Sequence, residues 1–69
     1  MSNDNKFGSM VLFYRTNNGM TQAEMADVLG ISQGMVSHIE LGRHKPRIAT
    51  IKKFCYHFDV PLMSLIDGI

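Results

Sequence analysis

The chain has 69 residues, a hydrophobic fraction of 45% and a formal net charge of +1 at pH 7. This length allows one domain, close to the lower limit for a single unaided core. One cysteine excludes an intrachain disulfide and a thiolate metal cluster, and no apolar run is long enough to span a membrane. The polar first residues do not resemble a signal peptide. We therefore expect one cytoplasmic domain without a metal or a cofactor.

The positive charges are concentrated in one segment. Five of the seven lysines and arginines lie between residues 43 and 53 with no acid among them: Arg43, Lys45, Arg47, Lys52 and Lys53. Such a local cluster can hold phosphate groups even when the whole protein is nearly neutral. The same run, taken alone, is also typical of a solvated loop and helix face.

The first predicted helix runs from Lys6 to Asn17, after a disordered tail at residues 1–5. Its inner face consists of residues at helical spacing, namely Phe7, Val11 and Tyr14. The Asn-Asn-Gly sequence that follows ends the helix, because glycine and asparagine tolerate the left-handed backbone of a helix end.

The second and third helices are joined at Gly30. Thr21 and Glu24 fit the capping box of a helix start, in which each side chain satisfies a free backbone N–H of the first turn. Ser32 caps the third helix, which directs Val36 and Ile39 towards the core and other side chains outwards. Two short helices joined in this way, at about residues 21–41, form a helix-turn-helix. This motif lets one helix lie in the major groove of DNA while the other braces it.

The fourth helix is expected to start at about Arg47 or Ile48, because Pro46 blocks helix continuation before it. Its predicted buried stripe consists of Ile48, Ile51, Phe54, Cys55 and Phe58. A turn at residues 59–61 then precedes a short fifth helix, Leu62 to Ile66. The sequence thus predicts an all-α, compact five-helix domain over residues 6–69.

These features resemble the phage repressor and Cro-like helix-turn-helix family, often called the XRE family. The resemblance covers about residues 6–67. It is carried by Phe7-Gly8, Arg15, Gly19-Met20-Thr21-Gln22, Ala26, Leu29-Gly30-Ile31-Ser32, Val36-Ser37, Ile39-Glu40, Gly42, Pro46, Val60-Pro61-Leu62 and Leu65. It implies a lambda-repressor-like fold and a sequence-specific DNA-binding transcriptional regulator.

The resemblance also implies roles for individual residues. The base-reading positions are Gln33, Gly34, Ser37 and His38. A glutamine at such a position can form paired hydrogen bonds with adenine N6 and N7. The implied phosphate contacts are Thr21, Gln22, Ser32, Arg43, Lys45 and Arg47. Arg15 and Glu40 resemble a structural pair that fixes the recognition helix.

The first helix departs from the family at Met10, Leu12 and Phe13, where charged residues are usual. Three explanations stay open: a larger homodimer interface, a protein partner such as a toxin or an antirepressor, or scattered apolar residues without a role. Gly34 is a second departure, because glycine inside a helix costs about 0.5–1 kcal/mol relative to alanine. It fits either close backbone approach to the groove floor or simple tolerance in the first turn.

We expect a Cro-like repressor that binds a palindromic operator in double-stranded DNA as a homodimer. Two recognition helices about 34 Å apart meet successive major grooves. The dimer candidates lie near the end of the chain: Leu62, Met63, Ile66 and Ile69. The alternative is an antitoxin-type or other interaction module that binds a partner through the first helix and regulates its own promoter.

An enzyme is not expected. His38, His44, His57 and Cys55 show neither metal-ligand spacing nor a nucleophile with a base nearby in the sequence. The single cysteine lies in an apolar helical stretch, which favours a small buried hydrophobic residue over a reactive thiol.

Overall fold

The computed structural model describes residues 3–62, with side chains from residue 6 onwards. Within this range the chain forms four helices and no strand: α1 (Asn3–Asn17), α2 (Gln22–Leu29), α3 (Gln33–Glu40) and α4 (Ile48–Phe58). The boundaries predicted for α2, α3 and α4 are confirmed to within a residue or two. The count of five helices is not confirmed, because the predicted fifth helix lies outside the described residues apart from Leu62, which is in a turn.

Helix α1 begins at Asn3 and not at Lys6, so residues 3–5 of the predicted tail are helical. The first four N–H groups of a helix have no acceptor within it, and small polar residues are well tolerated there. The apolar periodicity that located this helix begins only at Phe7 and carries no signal for the turn before it.

The core is formed where one face of each helix meets the others. Its buried side chains are Phe7, Val11, Met25, Ala26, Leu29, Val36, Ile39, Ile51, Phe54 and Cys55. The ring of Phe54 contacts Phe7 and Tyr14 edge to face, with centroid distances of 5.3 and 5.4 Å. Such pairs add about 0.5–1.5 kcal/mol beyond the burial of their area. The aromatic cluster therefore joins α1 firmly to α4.

The sequence pattern placed Ile48 in the buried stripe of α4. This prediction is wrong, because Ile48 is 50% exposed. It is the first residue of the helix, and helical side chains lean towards the N-terminus. Its side chain consequently extends past the end of the core. Thr50 is buried at this end of α4 instead and is only 8% exposed.

Each of the four helices in the described range is followed, within two residues, by a residue with positive φ: Gly19, Gly30, Gly42 and Asp59. After α3, Gly42 N donates to Ile39 O at 3.0 Å and Arg43 N donates to His38 O at 2.9 Å. These are the two hydrogen bonds of a Schellman motif, which favours glycine because a Cβ is disfavoured in the left-handed region. The lengths of α2 and α3 are thus set by the backbone at Gly30 and Gly42.

Helices α1 and α3 pack backbone against backbone at Gly8. A Cβ placed on Gly8 would lie 2.1 Å from the carbonyl oxygen of Ile39. No side chain of residue 8 therefore separates the two helices. This contact fixes how closely α3 approaches the rest of the domain.

Candidate nucleic-acid interface

Helix α3 has one buried and one outward side. Val36 and Ile39 are completely enclosed by the core. Gln33, Gly34 and His38 are exposed, and Ser37 is half-buried. Residues four apart share one face of a helix. The predicted base-reading residues therefore lie together on the outward side of α3, and the buried side chains of its inner side hold the helix in place.

The starts of α2 and α3 are both closed by hydroxyl caps. Thr21 Oγ1 accepts from Glu24 N at 3.1 Å, and Thr21 N donates to Glu24 Oε1 at 2.8 Å, which completes the capping box. Ser32 Oγ accepts from Met35 N at 3.1 Å. In both caps the hydroxyl accepts, so its own hydrogen can still be donated to an anion in front of the helix.

Glu40 at the end of α3 is the centre of a hydrogen-bond network. Its carboxylate accepts from Arg15 Nε at 2.6 Å and from Arg15 Nη2 at 3.2 Å. Arg15 Nη1 also donates to Met20 O at 3.1 Å. The side chain of Glu40 is only 6% exposed. Arg15 therefore ties α1 to the end of α3 and to the residues just before α2.

Gln22 takes part in this network, which the sequence did not indicate. Its Nε2 donates to Glu40 Oε1 at 3.1 Å. The amide carries two N–H donors, so one is still available for another acceptor. The contact links the first turn of α2 directly to the last turn of α3 and so fixes the angle between the two helices of the motif.

The loop between α3 and α4 carries exposed cations directly after the end of α3. Arg43, Lys45 and Arg47 are all exposed, and within the described residues none of them forms an ion pair. Arg47 is the N-cap of α4 but its side chain makes no capping hydrogen bond. Its guanidinium is consequently available to an anion outside the protein.

A family model described as helix-turn-helix matches residues 13–65. The chain belongs to the XRE family of helix-turn-helix proteins. Among curated proteins, no significant match to this sequence is found. As an XRE-family protein the chain is a DNA-binding transcriptional regulator whose ligand is double-stranded DNA.

The apolar positions of α1 that were expected to depart from the family differ in exposure. Phe13 is 60% exposed and Leu12 is 41% exposed, whereas Met10 is half-buried against the core. Met10 and Leu12 precede the range that the family model matches. Of the residues predicted to form a dimer, Leu62 packs against the core; Met63, Ile66 and Ile69 lie outside the described residues.

Within residues 3–62, no three histidine, cysteine, aspartate or glutamate side chains come together in a way that could hold a metal ion. None of the helices in that range combines the length and apolar character needed to cross a membrane. Cys55 is a free, buried cysteine, and desolvation by burial raises the pKa of its thiol. The prediction that Cys55 is a buried hydrophobic residue is confirmed.

Proposed function

We propose that this protein is a Cro-like repressor that binds a palindromic operator as a homodimer, with α3 in the major groove. The two-sided character of α3 carries the proposal. Val36 and Ile39 anchor the helix, while Gln33 and His38 extend from its exposed side. A helix anchored on one side can present polar groups to base edges on the other.

Direct readout is assigned to the outward residues of α3. Gln33 can form paired hydrogen bonds with adenine N6 and N7, and His38 can donate to guanine N7 or to a phosphate. Ser37 contacts a base or the adjacent backbone. Gly34 adds no side chain, so the backbone of the first turn can approach the groove floor.

Phosphate contacts are assigned to two sets of groups on either side of α3. The starts of α2 and α3 offer Thr21, Gln22 and Ser32 together with free N–H groups, and helix N-termini attract anions. The loop offers Arg43, Lys45 and Arg47, which have no carboxylate partner among the described residues. These contacts position the protein and do not read sequence.

A single α3 buries too little surface for firm binding, which is why a dimer is part of the proposal. Two copies related by a two-fold axis place their recognition helices about 34 Å apart, one helical turn of DNA. The proposed dimer residues are Leu62, Met63, Ile66 and Ile69. Sedimentation of the protein gives its oligomeric state, and footprinting on a selected operator shows which half-sites it covers. A monomer that protects only one half-site at saturation contradicts the proposal.

Selection of binding sites from a random DNA pool, followed by titration of variants, tests the readout. We expect Gln33→Ala to cost about 1–3 kcal/mol on the selected operator and little on random DNA. Lys45→Ala is the matched control and should weaken binding to both DNAs alike. If Gln33→Ala weakens binding to both DNAs equally, Gln33 has no part in direct readout.

A second function is favoured by the exposed apolar surface of Leu12 and Phe13 on α1. We propose as the alternative an antitoxin-type module that binds a protein partner through Met10, Leu12 and Phe13 and autoregulates through DNA binding. Co-purification from the native host with wild-type protein and with Phe13→Ser discriminates the two. A partner retained equally by both proteins argues against this surface.

A further inference from the structure

A cavity of about 410 Å³ lies between the turn after α2, the inner side of α3 and the start of α4. Leu29, Met35 and Ile39 make part of its lining apolar. Sites for small organic molecules typically have about 300–1,000 Å³ and combine such a lining with a few polar groups. The outward side chains of α3, Gln33 and His38, do not line this cavity, so it is separate from the base-reading face.

One wall of the cavity carries a polar side chain without a partner. Thr50 lines the cavity and is only 8% exposed. Its hydroxyl forms no hydrogen bond with any other group in residues 3–62. No side-chain oxygen or nitrogen in the described range is both fully buried and without a partner, so the Thr50 hydroxyl reaches the solvent of the cavity. A polar ligand group in the cavity would therefore find an unused donor and acceptor there.

The other polar side chains of the lining are Ser32, His44 and two cations. Lys53 and Arg47 both line the cavity, and no carboxylate does. Lys53 is exposed, and its ammonium group lies beside the turn at the cavity edge, where a Cβ placed on Gly30 would lie 2.6 Å from Nζ. Neither cation forms an ion pair within the described part of the chain. The charge of the cavity is thus complementary to an anion.

We propose that this cavity binds a small amphipathic anion, an apolar body that carries one carboxylate, sulfonate or phosphate group. The apolar body contacts Leu29 and Met35, the anionic group lies between Lys53 and Arg47, and Thr50 supplies a hydrogen bond. Such a site goes beyond the proposed function, because it requires no DNA. Arg47 is also a proposed phosphate contact, so a bound anion competes with DNA for it; that link alone rests on the proposed function.

The probe for this site is 1-anilinonaphthalene-8-sulfonate, whose fluorescence rises in an apolar environment. We expect saturable binding with one probe per chain to the native protein. Lys53→Gln should weaken it about tenfold or more, as loss of one charge-assisted hydrogen bond implies. Lys52→Gln is the matched control, because Lys52 is exposed on the same helix and does not line the cavity. Thr50→Val, which keeps the shape of the side chain, should also weaken binding.

Three results would overturn the site. Equal effects of Lys52→Gln and Lys53→Gln would show that the cavity is not where the probe binds. Loss of binding in Phe13→Ser would place the probe on the exposed surface of α1. Equally tight binding of neutral N-phenyl-1-naphthylamine would remove the requirement for an anion. The titration contains no DNA, so failure of this site is distinguished from failure of the proposed function.

The link to DNA has its own measurement, made with the operator obtained by selection. An anion concentration that just saturates the wild-type protein should lower its operator affinity and should lower that of Lys53→Gln much less. If the operator affinity of the saturated wild-type protein is unchanged, binding of an anion in the cavity does not affect DNA binding.

Discussion

Gly8 of α1 lies directly against the carbonyl group of Ile39 in α3. A Cβ on Gly8 would come within 2.1 Å of the carbonyl oxygen and 3.1 Å of the carbonyl carbon. Both atoms belong to the backbone, so no change of rotamer can relieve the clash. We expect Gly8→Ala to lower the free energy of unfolding by about 1–3 kcal/mol, as overpacking typically does. Urea denaturation measures this, and a gain in stability would contradict the close packing.

Gly34 provides the matched comparison, because it is also a glycine inside a helix. A Cβ placed there would meet nothing within 4 Å. Gly34→Ala should therefore raise the free energy of unfolding by about 0.5–1 kcal/mol through helix propensity alone. Operator affinity of this variant then decides between the two explanations of Gly34. A loss indicates close backbone approach to the groove floor, and unchanged affinity indicates simple tolerance.

Arg15→Ala should destabilise the fold before it affects DNA binding. The change leaves the carboxylate of Glu40, which is only 6% exposed, without its cation. Removing one partner of a buried pair typically costs about 3–5 kcal/mol. Arg15→Lys should recover only part of this, because lysine cannot reproduce the fork of donors that reaches both Glu40 and Met20 O. Thermal denaturation is the measurement, and an unchanged Tm for Arg15→Ala would exclude the structural role.

Arg47→Ser should change the stability of the fold and the affinity for DNA in opposite directions. Arg47 is the N-cap of α4 and makes no side-chain cap, whereas a serine there can accept from the first turn. A good N-cap contributes about 0.5–2 kcal/mol, so the variant should unfold at higher urea concentration. If Arg47 contacts phosphate, operator affinity falls and the slope of log K against log salt decreases by about 1. A parallel rise in stability and affinity would remove Arg47 from the phosphate contacts.

The buried thiol of Cys55 predicts a change of stability at alkaline pH. Burial raises the folded-state pKa of Cys55 above the ordinary value of 9.0. Its contribution to stability is therefore fully present below about pH 9 and is lost as the pH rises through the higher folded-state pKa. Urea denaturation at several pH values should show a steeper alkaline loss for the wild type than for Cys55→Ala. Identical slopes would show that Cys55 ionises equally well in the folded protein.

The helix ends of the motif could be predicted from the sequence because their signals are local. Thr21 with Glu24, Ser32 and the glycines at 30 and 42 each act through backbone groups a few residues away. The contact of Gly8 with Ile39 O and the bond from Gln22 to Glu40 join residues that are distant in sequence. No periodicity or cap encodes such contacts, so they became visible only in the folded structure.

The errors at the ends of α1 and α4 have the same physical origin. Helical spacing correctly identified Ile51 and Phe54 as core residues, but it cannot say where the core stops. Ile48 fits the spacing and is exposed, while Thr50 is polar and buried. The assignments of individual side chains to bases and phosphates remain predictions.

Helix α3 has eight residues, little more than two turns, and the burial of Val36 and Ile39 sets which of its sides faces the core. Inserting one residue between Gln33 and Val36 would swing Gln33 by about 100° relative to that buried pair. The same insertion in the 43–47 loop would leave the phase of α3 untouched. A one-residue insertion or deletion in this helix should therefore turn the base-reading side chains away from the groove in a single step. Substitutions, in contrast, should change operator affinity by degrees.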